Sequence, residues 1–417
     1  MLSSGAGELL MQRIEQLAAL SESDTGLTRR FATPEHRLAN DLVADWMIQA
    51  GMSVREDAIG NIIGRYEGSA PGAAAIVLGS HLDTVVMAGK YDGMLGVLSG
   101  LACVEYLSAQ EQRLPQAIEV IGFADEEGVR YQSTFLGSRA ITGEFDFAQL
   151  DRADKDGITM RDALIAFGKN PDDLQGAVRQ AEEIAAYLEV HIEQGPVLEK
   201  EDLGVGVVTA IAGATRMLVT ITGEAGHAGT VPMTLRRDAL VAGAECIIGI
   251  ERLCTGAVDL VGTVGSINVE PGAGNVIPGH VEFTIDIRSA DDSRRIAAVD
   301  AVVAHMENVC ELRKIDVHID TLHNESSQGC DEALIGHISK AIGTCQPRVL
   351  ALSSGAGHDA MVMAHLAPAA MVFVRCAGGI SHNPAESVTT EDATLGAEVL
   401  LQTVLNVSGV DGSSSPA

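Results

Sequence analysis

Basic residues are scarce in this sequence. Its 417 residues include 28 Lys and Arg against 57 Asp and Glu, a formal net charge of −29. A surface of that sign repels nucleic-acid phosphates and anionic membranes, so we expect neither as a partner. Aromatic residues are also rare, at 3%, although 46% of the residues are hydrophobic. The composition is globular, and the core must be mainly aliphatic.

No two cysteines have CxxC spacing, and the seven cysteines are scattered. The sequence therefore indicates neither a disulfide framework nor a thiolate zinc site. This pattern of cysteines is consistent with a reducing cytoplasm. No apolar run approaches the roughly 20 residues that span a bilayer. Near the N-terminus, Glu8, Arg13 and Glu15 interrupt the apolar residues, which argues against a signal peptide and predicts an amphipathic helix.

The length favours roughly two domains. Residues 34–110 have the pattern of a helix, two strands and a second helix, and AIEVIGFADEEG adds another strand. This alternation predicts an α/β sheet covered by helices on both faces.

From about Gly213 the pattern changes to strand, helix, two strands, helix and strand. It predicts an α+β domain at residues 213–326, with a four-stranded sheet and two helices. This domain would be inserted into the α/β domain, which would comprise residues 1–212 and 327–417. The tail SGVDGSSSPA is expected to fray.

Polar clusters begin where two predicted strands stop, and ligands of open α/β sheets bind at the carboxyl ends of strands. Five segments at such ends or in Gly-rich turns carry His81 with Asp83, Asp92, Glu126 with Glu127, His191 and His382. Each alone is better explained as structural, but their coincidence favours a site. Imidazole and carboxylate without thiolate suit Zn²⁺ or Mn²⁺ in a hydrolytic site.

Two of these segments contain pairs of residues for which we predict different roles. Glu126 and Glu127 are adjacent in a loop and point in different directions, so one can bind metal while the other acts as general base. Asp83 lies two residues from His81 on an extended segment and faces the same way. It could therefore orient the imidazole.

Nine motifs resemble the M20 metallo-amidohydrolases, in the branch of allantoate amidohydrolase, N-carbamoyl-L-amino acid hydrolase and β-ureidopropionase. They are SHLDTV, YDGMLGV, DEEGVRY, HIEQGPVLE, GHAGTVPM, GAGNVIPG, FTIDIRS, SGAGHDA and GISHNPAE, in the family order from about residue 80 to 387. The resemblance implies an aminopeptidase-like, mixed-sheet catalytic domain with two metal ions. It also implies an inserted ferredoxin-like domain that forms a homodimer.

The resemblance assigns metal-binding roles to His81, Asp92, Glu127, His191 and His382. Asp92 would bridge two ions, with His81 and His382 as terminal ligands on opposite sides. Glu126 would be the general base for the attacking water. The ions would be Zn²⁺ or Mn²⁺, with Co²⁺ and Ni²⁺ as further options, because these ligands do not discriminate among them.

The resemblance also implies substrate contacts. Arg288 and Asn275 would hold a substrate carboxylate, Gln194 would contact its ureido group, and His227 would stabilise the oxyanion, in related dimers often from the neighbouring subunit. His358 resembles a position near the substrate. From the residues alone, Arg288 could equally form a surface salt bridge, and a Gly-rich turn explains His358 nearly as well.

The implied reaction is cleavage of a ureido or carbamoyl C–N bond in a small carboxylate. Arg216, in AGATRMLVTITG, resembles the allantoate enzymes more than the carbamoylases, and this resemblance favours allantoate over N-carbamoyl-L-amino acids and 3-ureidopropionate. From the residues alone, Arg216 could instead be an edge-strand charge that blunts aggregation. An aminopeptidase or aminoacylase is disfavoured because those relatives often have an acid where His191 stands. A non-catalytic metal-binding scaffold is disfavoured by the presence of Glu126. The remaining histidines are expected to be ordinary: His36, His280, His305, His318, His323, His337 and His365.

Overall fold

The computed structural model describes residues 2 and 5–410. The chain divides into two compact units. Unit 1 comprises Met1–Thr209, Cys330–Leu352 and Gly357–Ala417, and unit 2 comprises Ala210–Gly329 and Ser353–Ala356. The tail that was expected to fray lies outside the described residues from residue 411 onward.

Unit 1 begins with an alternation of helices and strands. In chain order these are α1 (Ala6–Ala18), α2 (Pro34–Gln49), β1 (Ser53–Glu56), β2 (Ile62–Tyr66), β3 (Ala75–His81), α3 (Met94–Ala109), β4 (Ala117–Phe123), α4 (Leu136–Thr142), α5 (Met160–Ala166), β5 (Ile184–Ile192), α6 (Val197–Lys200) and β6 (Val205–Ile211).

The next segment belongs to unit 2 and contains two long helices. Its elements are β7 (Gly213–Thr222), β8 (Gly226–His227), α7 (Ala239–Thr255), β9 (Leu260–Glu270), β10 (Val276–Ile277), β11 (His280–Ser289), α8 (Asp292–Arg313), β12 (Asp316–Glu325) and β13 (Gln328–Gly329). The chain then continues with α9 (Glu332–Cys345), β14 (Ala351–Ser354), α10 (Asp359–Met363), β15 (Ala369–Val374) and α11 (Thr390–Val407).

The sheet of unit 1 is mixed, in the order β1-β2-β4-β3-β5-β15-β6. Strands β4, β3, β5 and β15 run parallel to one another, whereas β2 pairs with β4 and β6 with β15 in the antiparallel direction. Every residue of β3, β4 and β15 is buried. This is the burial expected of parallel strands covered on both faces.

Local sequence explains the helix predicted from residue 34. The Thr33 side chain accepts a hydrogen bond from the His36 N–H, Pro34 occupies the first turn, and Gly51 follows the helix with φ 85. These are favourable start and stop residues. The amphipathic N-terminal helix is also observed, as α1, and buries Leu10, Ile14 and Leu17.

Unit 2 has the strand and helix order predicted for its sequence. Its four-stranded sheet is antiparallel in the order β12-β7-β11-β9. Alternate residues of β11 are buried, and they join a core with residues of α7 and α8. Strand β7 lies between two neighbours, so the interpretation of Arg216 as an edge-strand charge is wrong.

None of the helices in the described part of the chain is both long enough and apolar enough to cross a membrane.

Candidate metal centre

The predicted metal ligands of unit 1 lie at one edge of its sheet. His81 ends β3, His191 is the penultimate residue of β5, and Glu127 follows β4 after a short turn. His382 follows β15. Because these four strands are parallel, their carboxyl ends bring residues that are far apart in sequence to the same place.

The carboxylate of Asp92 presents its two oxygens to different partners. Oδ1 lies 3.3 Å from His81 Nε2 and 3.1 Å from His191 Nε2. Oδ2 lies 3.5 Å from His382 Nε2, which in turn lies 3.4 Å from Glu127 Oε1. One carboxylate thus joins two separate groups of nitrogen and oxygen donors.

The donor set fits divalent metal ions. His81, Asp92 and His191 each offer a ligand atom within 4.8 Å of the others, and so do Asp92, Glu127 and His382. The donors are imidazole nitrogens and carboxylate oxygens, a chemistry that Zn²⁺ and Mn²⁺ accept. Ligand atoms also lie within 4.8 Å of one another in two further groups of described residues: His81 with Glu126 and Glu127, and Glu189 with His191 and His358.

The charges inside this centre are strongly coupled. Burial opposes ionisation of Asp92, but attraction to His191 and His81 holds the pKa of its carboxyl well below the usual range. Burial likewise opposes protonation of His191, and Asp92 outweighs it to raise the pKa of that imidazole. Glu127 raises the pKa of the His382 imidazole to about 8 despite partial burial. The negative charge that attracts these protons would equally attract a cation.

Asp83 connects His81 with the glutamate pair. The Asp83 backbone carbonyl lies 3.0 Å from His81 Nδ1, and its side chain accepts hydrogen bonds from the backbone N–H groups of Glu126 at 2.9 Å and Glu127 at 3.2 Å. The His81 ring is therefore oriented from its Nδ1 side while Nε2 faces Asp92. Burial, and then the charge of Glu127, raise the pKa of the Glu126 carboxyl well above its usual value.

Gly93 and Gly89 shape the loop that carries Asp92, for different reasons. Gly93 has φ 76, and a Cβ there would press against the His81 ring. Gly89 has no such backbone requirement, but a Cβ there would collide with the side chain of Glu386.

Gln194 contacts Asp92 directly. Its Nε2 donates to Asp92 Oδ2 at 2.8 Å, and Ser381 Oγ donates to the same oxygen at 2.7 Å. Gln194 Oε1 is buried and has no hydrogen-bond partner within the described residues. Gln194 and His382 both adopt left-handed backbone conformations, with φ 57 and 54, which are uncommon for residues other than glycine.

His358 is buried against the centre, since its ring centroid lies 4.5 Å from that of His191. Burial, and then the neighbouring His191, hold the pKa of His358 well below its usual value. A neutral imidazole is thus favoured at this position.

Sequence reasoning did not single out three buried acids near the centre. Glu189 accepts hydrogen bonds from Ser80 and Tyr187, and Asp359 accepts one from Ser138. The third, Glu386, accepts bonds from the backbone of the Asp92 loop. Asp359 and Glu386 lie inside the recognised motifs SGAGHDA and GISHNPAE, so their positions next to His358 and near His382 were an available signal.

Unit 2 contains the other predicted site residues in two places. His227 pairs with Val276 between β8 and β10, and the neighbouring Ala228 N–H donates to the Asn275 carbonyl at 3.0 Å. His227 and Asn275 are therefore adjacent. The His227 side chain accepts a hydrogen bond from the Gly229 N–H at 3.0 Å.

Arg216 and Arg288 lie side by side on β7 and β11 and share Asp286. Arg288 donates to Asp286 through Nε at 2.9 Å and Nη2 at 2.8 Å, and Arg216 donates through Nε at 3.1 Å. Both arginines line a cavity of about 570 Å³ within unit 2. The cavity wall thus carries two guanidinium groups and one carboxylate.

Residues 77–406 match the model of the peptidase family M20/M25/M40. The chain belongs to this family. Within it, the chain is 41% identical to the allantoate deiminase of Arabidopsis thaliana, over 91% of this chain and 78% of that protein. It is also 41% identical to the N-carbamoyl-L-amino acid amidohydrolase of Geobacillus stearothermophilus, over 95% of this chain and 98% of that protein.

A solved structure supports the same placement within the M20 family. The hydantoinase/carbamoylase-family amidase of Burkholderia multivorans superposes with a TM-score of 0.91 at 33% identity, covering 96% of this chain and 98% of that one. The α/β fold with a mixed sheet that the sequence predicts is therefore confirmed.

Proposed function

We propose that this protein is a two-metal amidohydrolase that cleaves a C–N bond in the ureido group of a small carboxylate, with allantoate as its substrate. One observation carries the proposal: Asp92 presents Oδ1 to His81 and His191 and Oδ2 to His382, beside Glu127. N-carbamoyl-L-amino acids and 3-ureidopropionate are the alternative substrates. The similarity both to an allantoate deiminase and to an N-carbamoyl-L-amino acid amidohydrolase supports this choice of substrate class.

The proposed centre holds two divalent ions, Zn²⁺ or Mn²⁺, with Asp92 shared between them. His81 and His191 would complete one ion's protein ligands, and Glu127 and His382 the other's. When bound, the ions would polarise the scissile carbonyl group and lower the pKa of water.

Glu126 is the proposed general base. Its carboxylate would take the proton of the attacking water and pass it to the leaving nitrogen, so that hydrolysis of one C–N bond releases ammonia and leaves a carbamate. The carbamate then decomposes to carbon dioxide and an amine. Its burial and raised pKa suit a group that must hold a proton between these steps. Asp83 would hold Glu126 and Glu127 in position by accepting hydrogen bonds from their backbone N–H groups.

The proposed substrate contacts are made by the residues that resemble the family's substrate-binding positions. Arg288 and Asn275 would bind the substrate carboxylate, and Arg216 would bind a further polar group that allantoate has and simpler substrates lack. The buried, unpartnered Oε1 of Gln194 is a suitable acceptor for a ureido N–H. His227 would stabilise the oxyanion, with His358 beside the substrate.

A homodimer formed through residues 213–326 remains part of the proposal, with His227 contributed by either copy. The division into a catalytic domain of residues 1–212 and 327–417 and an inserted dimerisation domain also stays a prediction, as does the cytoplasmic location.

Ammonia release would test the function. The metal-free protein would be assayed with allantoate, N-carbamoyl-L-amino acids, 3-ureidopropionate and dipeptides, before and after adding Mn²⁺ or Zn²⁺. We expect turnover only with metal, fastest on allantoate. Hydrolysis of dipeptides alone would refute the ureido reaction, whereas preference for another ureido compound would refute only the choice of allantoate. Metal binding without any turnover would favour a scaffold.

A further inference from the structure

Glu386 contacts the loop that carries Asp92 through the loop backbone. Its Oε1 accepts hydrogen bonds from the N–H groups of Tyr91 at 2.8 Å and Asp92 at 3.1 Å. The side chain is almost completely buried, since Glu386 is 2% exposed. Oε2 has no hydrogen-bond partner within the described residues. A buried carboxylate engaged through only one oxygen is costly, which calls for an explanation beyond ordinary packing.

The loop is built around this side chain. A Cβ on Gly89 would collide with the carboxyl group and the Cβ of Glu386. The glycine therefore provides the space in which Glu386 reaches the two N–H groups. This contact joins parts of the chain that are 294 and 295 residues apart in sequence.

The segment that supplies Glu386 also supplies contacts to the Asp92 carboxylate. Ser381 Oγ donates to Oδ2 at 2.7 Å, and His382 Nε2 lies 3.5 Å from the same oxygen. Within the segment, the Glu386 N–H donates to the Asn383 carbonyl at 3.0 Å. One short turn thus holds Asp92 at both its side chain and its backbone.

We propose that Glu386 is a positioning residue for the metal centre. By fixing the backbone at Tyr91 and Asp92, it sets the rotation of the Asp92 carboxylate, so that each oxygen faces its own group of donors. It also ties this orientation to the turn that carries His382. The inference rests on the proposed two-ion centre, and Glu386 would act on it through the loop backbone rather than as a ligand.

Metal affinity is the direct test, because mutating a residue that orients a metal ligand typically lowers metal affinity by about 10- to 100-fold. Mn²⁺ binding to the metal-free protein would be measured by isothermal titration calorimetry. We expect Glu386→Ala to weaken binding by about that factor. Glu386→Gln keeps an oxygen acceptor for both N–H groups, so its Mn²⁺ affinity should fall much less than that of Glu386→Ala. Gly89→Ala should weaken binding as Glu386→Ala does, because it displaces the same side chain.

Two control variants separate positioning from a general loss of stability. Asp238→Ala removes two backbone hydrogen bonds, those from Leu240 and Val241 at the start of α7. Gly336→Ala adds a Cβ within α9, where apart from the adjacent residues and the backbone of the helix itself no described atom would lie within 4 Å of it. Both should bind Mn²⁺ like the wild type.

Assays at increasing Mn²⁺ concentration supply a second measurement. For Glu386→Ala, we expect the Mn²⁺ concentration for half-maximal activity to rise while the KM for substrate at saturating Mn²⁺ stays unchanged. If this variant fails to fold, Gly89→Ala supplies the test: its Mn²⁺ affinity should fall, and a wild-type affinity would overturn the positioning role. Wild-type affinity in Glu386→Ala and Gly89→Ala would overturn the positioning role alone. Absence of Mn²⁺ and Zn²⁺ binding by the wild type would overturn the proposed centre as well.

Discussion

The Asp83 carboxylate accepts a hydrogen bond from the backbone N–H of Glu126 at 2.9 Å. The interaction holds the main chain of Glu126 and does not involve its side chain, to which we assign the proposed proton transfer. The same aspartate accepts the neighbouring N–H of Glu127 and lies beside His81. Replacing the Glu126 side chain should therefore separate proton transfer from metal binding.

We expect Glu126→Gln to bind two Mn²⁺ ions per chain and to lose activity by about 10²- to 10⁴-fold, the usual contribution of a general base. The amide keeps the shape of the side chain but cannot accept the proton. Calorimetry would give the metal stoichiometry, and ammonia release would give kcat. Glu182→Gln, at an exposed position of the same unit, is the control. Activity within a few-fold of the wild type, on the order seen for ordinary surface changes, would remove Glu126 as the base.

Arg288 should determine KM rather than metal content. Its guanidinium offers a planar fork that an ammonium group does not reproduce, so neither Arg288→Ala nor Arg288→Lys should bind the substrate carboxylate normally. Loss of a charged hydrogen-bonded contact corresponds to roughly a 10- to 100-fold rise in KM. Steady-state kinetics with saturating Mn²⁺ would measure it. Arg294→Lys, on the same unit, should keep the wild-type KM, and full function in Arg288→Lys would contradict the carboxylate clamp.

Arg216 should affect the choice of substrate. If it binds a polar group present in allantoate, Arg216→Ala should lower kcat/KM for allantoate by about 10-fold or more. N-carbamoyl-L-amino acids, which lack that group, should be affected much less. The ratio of the two kcat/KM values is the measurement, and Arg237→Ala is a matched control on unit 2. An equal loss on both substrates would mean that Arg216 acts only through Asp286.

His36 should make unit 1 sensitive to acid. Burial lowers the pKa of this imidazole to about 4, and its Nδ1 accepts a hydrogen bond from the Ala32 N–H. The unfolded chain binds the proton below about pH 6.5, whereas the folded chain does not until about pH 4. The unfolded state therefore binds more protons in that range, and lowering the pH should cost up to about 3 kcal/mol of unfolding free energy.

Urea unfolding of the metal-free protein would test this. The single tryptophan, Trp46, lies on α2 with His36 and reports on unit 1. Between pH 6.5 and 4, the unfolding free energy of His36→Gln should fall less than that of the wild type. His365→Gln, at an exposed histidine, should behave like the wild type. Parallel pH profiles for His36→Gln and the wild type would refute the prediction.

Periodicity located most regular elements because the strands of unit 1 are continuous apolar runs and those of unit 2 alternate. The position of β7 within its sheet was not predictable, since pairing order depends on contacts distant in sequence. For that reason Arg216 could be interpreted as an edge residue. The segment between α4 and β5 consists of short turns and helices without a strong period, and sequence reasoning gave no structure for it.

The proposed metal ligands could be selected from the sequence because each lies near a strand end or in a Gly-rich turn and belongs to a recognised motif. Motif position could have drawn attention to two of the acids around them, but their burial and their partners were not predictable, since a buried acid and an exposed one look alike in a sequence. Glu386 illustrates this limit, because its significance depends on backbone N–H groups almost three hundred residues away. Gln194 was expected to contact substrate, and its bond to Asp92 becomes visible only in the folded chain.

The distribution of the proposed metal ligands along the chain has a consequence for biosynthesis. During synthesis from the N-terminus, His81, Asp92, Glu127 and His191 emerge before unit 2, and His382 emerges after it. A nascent chain or a truncated product that stops short of His382 would still contain His81, Asp92 and His191, the donors on the Oδ1 side of Asp92. It would lack the histidine on the Oδ2 side, so the proposed second ion could be fully bound only after translation has passed His382.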